Sequence, residues 1–199
     1  MGGRTARAGG DTRTRIVDAT AALLRRQGYE GTGVKQIARD AGATLGSVYH
    51  FFPEGKEQLA AEALRRDSEH YTELLRDGLR SSDDPAEAVA ACAHLLADRL
   101  KESDWLDGCL VAATALEKVG RSPVIQRTWE ESLAAWQEQI AAKLRTCGMP
   151  ARTAEEAACT VLSALEGAEV LSRISSDDAS LRTAAVYLGR LIVALRSDG

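Results

Sequence analysis

Proline is scarce in this chain of 199 residues, with four in all, and aromatic residues make up only 5%. Strand-like alternation of apolar and polar residues is absent too, so a sheet-based fold is not expected. No apolar run approaches the ~20 residues that a membrane span needs. Residues 1–10 are rich in Gly, Ala and Arg without an apolar stretch, which is not the pattern of a secretory leader, and a cytoplasmic chain is expected. Cysteine is sparse and scattered: Cys92, Cys109, Cys147 and Cys159 form no close pair, and His50, His70 and His94 do not cluster. That spacing implies neither a zinc site nor a disulfide framework, and no metal or cofactor is called for. Catalysis finds little support. Cys109 as a nucleophile would need a positioned base, His94 is the histidine placed to supply one, and no Asp or Asn motif accompanies them, so the chain reads as a non-enzyme.

What is present is helix-forming. Ala, Leu, Arg and Glu dominate, and hydrophobic residues reach 45%, enough for a real core. The apolar stripe Ile16, Ala19, Thr20, Leu23, Leu24 predicts a helix over 11–27 stopped by Gly28, behind a disordered arm at 1–10. Short helices follow at about 34–41 and 44–50, the second behind a Thr44 cap and closing before Pro53. Longer ones are predicted at about 56–80, 86–102, 109–119, 123–146, 153–174 and 178–196. The fold class is therefore all-α. Residues 11–55 form a small head and 56–199 a helical body.

Net charge is −4, but it is unevenly spread. Residues 1–56 hold nine Lys/Arg against five Asp/Glu, and the remainder holds sixteen against twenty-four, so a head of +4 sits on a body of −8. A basic module is what phosphate binding needs. Within it, residues 34–50 have the spacing of a helix-turn-helix. Ala38 lets two short helices cross closely, and Gly42 suits the positive φ of the tight turn four residues on. Ile37, Ala41 and Val48 are the expected buried contacts.

The stretch Gly28-Tyr29-Glu30-Gly31-Thr32, then Ile37-Ala38, Ala41-Gly42-Ala43-Thr44, Gly46-Ser47-Val48-Tyr49-His50-Phe51-Phe52-Pro53 and Lys56-Glu57 resembles the TetR family of repressors. The body is similar to a multidrug- and flavonoid-responsive subfamily, through Phe52-Pro53-Glu54-Gly55-Lys56-Glu57, Gly108-Cys109-Leu110-Val111 and Ala164-Leu165-Glu166-Gly167-Ala168. The resemblance implies double-stranded operator DNA as a partner. Thr32, capping the second helix, and Thr44, capping the third, would face phosphates. Gly46 would let Leu45 and Ser47 reach base edges, while Tyr49, His50 and Lys56 suit phosphate contacts and Lys35 and Gln36 reach backbone or bases. Leu45 departs from the polar residue usual at its position, and Gly33 from a second hydroxyl.

The resemblance also implies a small-molecule effector held in the body. Trp105, Leu106, Cys109, Leu110 and Thr114 would lie on one side, with Trp129, Leu133 and Trp136 and then Leu162, Glu166 and Glu169 across from them. A tryptophan stripe at this spacing serves equally as plain core. Glu166 and Glu169 are open to three readings: facing a cationic ligand, pairing with Arg173 or Arg190, or facing solvent. A homodimer is expected through the last two helices, where Ala157, Val161, Ala164, Ala168, Leu171, Tyr187, Leu188, Leu191 and Leu195 offer more apolar surface than one bundle face needs, matching a palindromic operator. The expected function is a ligand-released repressor.

Overall fold

Helix is the conformation that the Ala-, Leu- and Glu-rich segments take in the computed structural model, which describes residues 3–118 and 120–197, with side chains from residue 11 onward except those at 116 and 197. Among the described residues nine helices follow in chain order: α1 (Gly3–Gly31), α2 (Val34–Asp40), α3 (Leu45–Phe51), α4 (Lys56–Arg80), α5 (Pro85–Glu102), α6 (Leu110–Lys118), α7 (Pro123–Thr146), α8 (Ala151–Ser175) and α9 (Ala179–Ser197). No strand occurs among those residues, and none of their helices is long and apolar enough to cross a membrane. Of the arm expected at 1–10, Met1 and Gly2 lie outside the described residues. From Gly3 the backbone is helical and runs into the helix expected at 11–27, although Gly9 and Gly10 disfavour helix. Val119, placed at the end of the sixth predicted helix, also lies outside the described residues.

The chain divides into two compact units, Met1–Ser68 with Leu110–Glu130 and Glu69–Cys109 with Glu131–Gly199. The first unit thus extends past residue 55, the end of the expected head, to Ser68 within α4. The reason lies in the first half of that helix, which buries Leu59 and Leu64 completely and reaches α1 through ion pairs. Arg25 gives two hydrogen bonds to Asp67 Oδ1, at 3.0 and 2.8 Å; Arg66 pairs with Asp18 at 2.9 Å and Arg13 with Glu62 at 2.9 Å.

In the first unit α1 turns its Ile16, Thr20 and Leu24 inward against α2 and α3, which contribute Ile37, Ala38, Ala41 and Val48. Between α2 and α3, Gly42 has φ +59, the left-handed turn expected there. Gly28, at φ 71 and ψ −178, leaves the helical conformation, so α1 is broken at the glycine expected to stop it. A Cβ at that point would collide with the carboxylate of Glu117 on α6, which packs against α1.

The second unit is built on α9, which packs against α5 and α8. Asp84 caps α5 by accepting from the Ala86 N–H at 2.9 Å, and Pro85 fits the first turn, where no donor is needed. The stripe Val89, Cys92, Leu96, Leu100 is buried as its spacing predicts, and so are Leu162, Leu165, Leu181 and Ile192. Each such side chain contributes about 1.5–3 kcal/mol by leaving water.

Candidate functional site

Two sets of residues matter, one in each unit. The first is the surface of α3. Thr44 caps this helix, its Oγ1 accepting from Ser47 N at 3.0 Å, with the two hydroxyls 2.8 Å apart. The inner face holds Val48, fully buried, so Thr44, Leu45, Gly46, Tyr49 and His50 are all exposed on the other side. A Cβ at Gly46 would meet only Thr44 Oγ1, at 3.8 Å. Nothing inside the fold asks for glycine there, which fits a residue kept small for something outside. Leu45 and Tyr49 are large and exposed, at 38% and 48%.

Other expected contacts stand differently. Lys35 is exposed, but Gln36 accepts from Gln27 Nε2 at 3.0 Å and is tied to α1. Thr32 does not cap α2, whose N-cap is Gly33. Its hydroxyl instead donates to Gly28 O at 2.7 Å, and the residue is buried, because the kinked end of α1 leaves a carbonyl there to satisfy. Lys56 Nζ lies 4.2 Å from the centre of the Tyr29 ring, and Lys118 Nζ on α6 lies 3.9 Å from it. Burial lowers the Lys56 pKa and Lys118 pushes the same way, while Glu30 and Glu117 oppose them. Lys118 also bonds Glu30 Oε1 at 2.6 Å, and that hydrogen bond, aided by the charge, holds the Glu30 pKa below its ordinary value. Glu117 accepts from Glu30 N at 2.7 Å.

The second set lies inside the other unit. Trp136 is fully buried beside Tyr71 of α4, ring centres 4.2 Å apart, and its indole N–H donates to Thr72 at 3.0 Å. Arg99 of α5 lies 5.5 Å from the Tyr71 ring centre and bonds Glu169 Oε1 of α8 at 2.8 Å. Glu169, 1% exposed, therefore pairs with neither Arg173 nor Arg190 in that bond, and does not face solvent. Glu166, one turn earlier, has its carboxyl against Tyr71 and Cys109. Burial, reinforced by the neighbouring Glu169, raises its pKa to about 7, opposed by Cys109, Tyr71 and Arg99. Tyr71 is pushed up as well, first by burial and then by Glu166 and Glu169.

The other expected effector residues are spread more widely. Leu162 and Cys109 are buried and Leu133 half-buried in this unit. Leu106 is 52% exposed, a surface residue; Trp105 beside it takes an unusual positive φ of 63. Leu110, Thr114 and Trp129 belong to the first unit, where Leu110 and Thr114 are fully buried and Trp129 is half-buried. Tyr71 and Arg99 were not singled out in the sequence. Tyr71 carried a signal, an aromatic at helical spacing between Leu64 and Leu75; Arg99 carried none, since pairing with a residue seventy positions away leaves no local pattern.

Residues 16–63 match the family described as bacterial regulatory proteins of the tetR family, and residues 85–187 match the transcriptional regulator LmrA/YxaF-like, C-terminal domain. The HTH-type transcriptional regulator LmrA of Bacillus subtilis is 33% identical over 172 residues, 86% of this chain and 92% of the relative. The chain belongs to the TetR family. YxaF of the same organism, also an HTH-type transcriptional regulator, is 30% identical across 92% of this chain and 96% of its own length. A crystal structure of a TetR transcriptional regulator from Chloroflexus aurantiacus superposes with a TM-score of 0.81 at 28% identity, covering 94% of this chain and 96% of that one. This TetR-family chain is thus a DNA-binding transcriptional regulator and not an enzyme.

Proposed function

We propose that the protein is a repressor that binds a palindromic operator as a homodimer and is released when a small molecule enters its helical body. The observation that carries the DNA half is the outer face of α3: a Thr44-capped helix presenting Leu45, Gly46, Tyr49 and His50 outward with only Val48 turned in. A capped N-terminus offers N–H groups to phosphate, a small residue allows close approach to the groove, and Leu45 is suited to a thymine methyl.

The homodimer is supported by the apolar residues that α8 and α9 leave in water. Leu171, Ile174, Val186, Tyr187 and Val193 are 56%, 75%, 50%, 61% and 52% exposed. Their contiguity on two helices is more than a monomer surface ordinarily carries. The sequence assigned Ala157, Val161, Ala168 and Leu188 to the same surface, but these four are buried in their own bundle. The large apolar residues these helices do leave exposed include Leu171, Ile174 and Tyr187.

A mobility-shift titration on the DNA upstream of the protein's own gene tests this function. A specific shift that lipophilic small molecules reverse is expected. No shift beyond that of unrelated DNA at the same salt concentration would remove the proposal.

A further inference from the structure

Lys56 opens α4 directly after Gly55, whose φ of 73 completes the turn out of α3. A Cβ on Gly55 would stand 3.7 Å from Tyr49 Cε1, so the start of α4 adjoins the exposed face of α3. The break in α1 at Gly28 leaves Tyr29 at the same place, buried, with its ring centre 4.2 Å from Lys56 Nζ. All of these residues belong to the first unit.

Two cations share that ring, and their surroundings differ. Lys118 Nζ lies 3.9 Å from the ring centre and bonds Glu30 Oε1 at 2.6 Å, and its side chain is only 15% exposed. Lys56 Nζ makes no hydrogen bond or ion pair among the described residues, although the charges of Glu30 and Glu117 reach it. What holds it there is the Tyr29 ring. A carboxylate in that role would cancel the charge and occupy N–H groups, whereas an aromatic face attracts the cation and leaves its donors to an anion outside. The ring is buried, so it orders the long Lys56 side chain before any anion arrives, and binding then costs less of that side chain's freedom.

We propose that Tyr29 is a positioning residue for DNA binding, its ring holding the Lys56 ammonium beside α3 as an unpaired cation available to a backbone phosphate. The inference rests on the reading of Lys56 as a phosphate contact and goes beyond it by naming what prepares that contact. Tyr29 acts only through Lys56, because the ring itself is buried. A phosphate contact carries no sequence information, so the effect falls on all duplex DNA alike.

The test is fluorescence anisotropy of the full chain on two labelled duplexes, the DNA upstream of its own gene and an unrelated sequence of equal length. Tyr29 is replaced by phenylalanine and then by phenylalanines carrying progressively more ring fluorines. The series nearly keeps the size of the ring while draining the negative face that attracts a cation. Tyr29→Phe should bind as the parent does, and affinity for both duplexes should then fall stepwise, by about three- to tenfold across the series. In a Lys56→Ala background the same series should be flat, since the two residues act as one unit. A ring that merely fills the core would not respond to fluorination through Lys56. Unchanged affinity across the series, or a stepwise loss that persists in the Lys56→Ala background, overturns the proposal. The Lys56→Ala variant by itself separates the two levels. If it binds both duplexes as the parent does, the phosphate reading falls and the proposal with it; if it binds them more weakly while fluorination has no effect, the role of Tyr29 alone falls.

Discussion

Arg99 Nη2 lies 2.8 Å from Glu169 Oε1, joining α5 to α8 through a carboxylate that is 1% exposed. The pair is asymmetric. Removing the arginine takes a cation away from the neighbouring carboxyls of Glu169 and Glu166, whereas neutralising Glu169 keeps an acceptor for Arg99. Arg99→Met should therefore destabilise the chain by about 3–5 kcal/mol at pH 8 and Glu169→Gln by less, about 1–3 kcal/mol. Urea unfolding of the two variants measures this. A loss no larger for Arg99→Met than for Glu169→Gln would contradict that asymmetry.

Glu166 gives stability a pH slope of unusual sign for a carboxylate. Its folded pKa of about 7 is raised above the ordinary 4.5, so the folded state binds more protons than the unfolded state between those values. The associated stabilisation is fully present below pH 4.5 and is lost as pH rises through 7. Glu166→Gln should melt above the parent protein at pH 8, and the difference should shrink toward pH 5, changing by up to about 1.4 kcal/mol per pH unit. Melting curves at pH 5.5 and 8 decide; a difference that does not vary between them would refute the assignment.

The fold was largely legible in the sequence because helix breaks carry local chemistry. Gly42, the Thr44 cap, the Pro85 start and the Gly148-Met149-Pro150 turn each announce themselves, and the exposed face of α3 follows from the first two. The misread features depend on distant contacts. Thr32 had the sequence of a cap, but the kink at Gly28 offers it a better partner in the Gly28 carbonyl. Leu188 had the periodicity of an outer face and is 5% exposed in its own bundle. The charge pattern in the body left the role of Glu169 open, and its bond to Arg99 comes from the packing of α5 against α8.

The proposed dimer makes a prediction that the exposed face sharpens. Ile174 and Tyr187 are so open in the single chain that charges there cost folding almost nothing. Ile174→Glu combined with Tyr187→Glu should keep helicity and melting behaviour of the isolated chain yet place buried like charges across a two-fold interface. Analytical ultracentrifugation at micromolar concentration should find the parent dimeric and the double variant monomeric. A monomeric parent would end the dimer reading.

Lys56 sits at the start of α4 with its ammonium over the Tyr29 ring and Lys118 against the same ring. Two cations sharing one ring repel, and a phosphate would relieve that repulsion. Lys56→Ala should weaken all DNA sequences about equally and lower the salt slope of binding by about one, while Ser47→Ala should change base preference instead. Fluorescence anisotropy titrations across a salt series measure both. An unchanged slope in Lys56→Ala would exclude the phosphate contact.

Effector and operator should oppose each other reciprocally in the proposed repressor, and α6 offers a place to test it. α6 is tied to the end of α1: Glu117 accepts from the Glu30 N–H at 2.7 Å, and Lys118 bonds the Glu30 carboxylate at 2.6 Å and lies against the Tyr29 ring. A ligand that displaces α6 acts on the end of α1 without touching DNA. Such coupling exists only if the ligand binds the two states unequally, typically by about 1–3 kcal/mol, and linkage then requires operator to weaken ligand by the same factor that ligand weakens operator. Lys118→Met combined with Glu117→Ala removes the grip while leaving α3 and the buried carboxylates intact. The double variant should bind operator and ligand each with nearly parental affinity and show a coupling factor falling toward one, because what it loses is the connection and not either site. Both affinities are read by titrating ligand with and without saturating operator, and operator with and without saturating ligand. Parental coupling in the double variant would place the connection elsewhere, and parental protein whose ligand affinity ignores saturating operator would not be a ligand-released repressor.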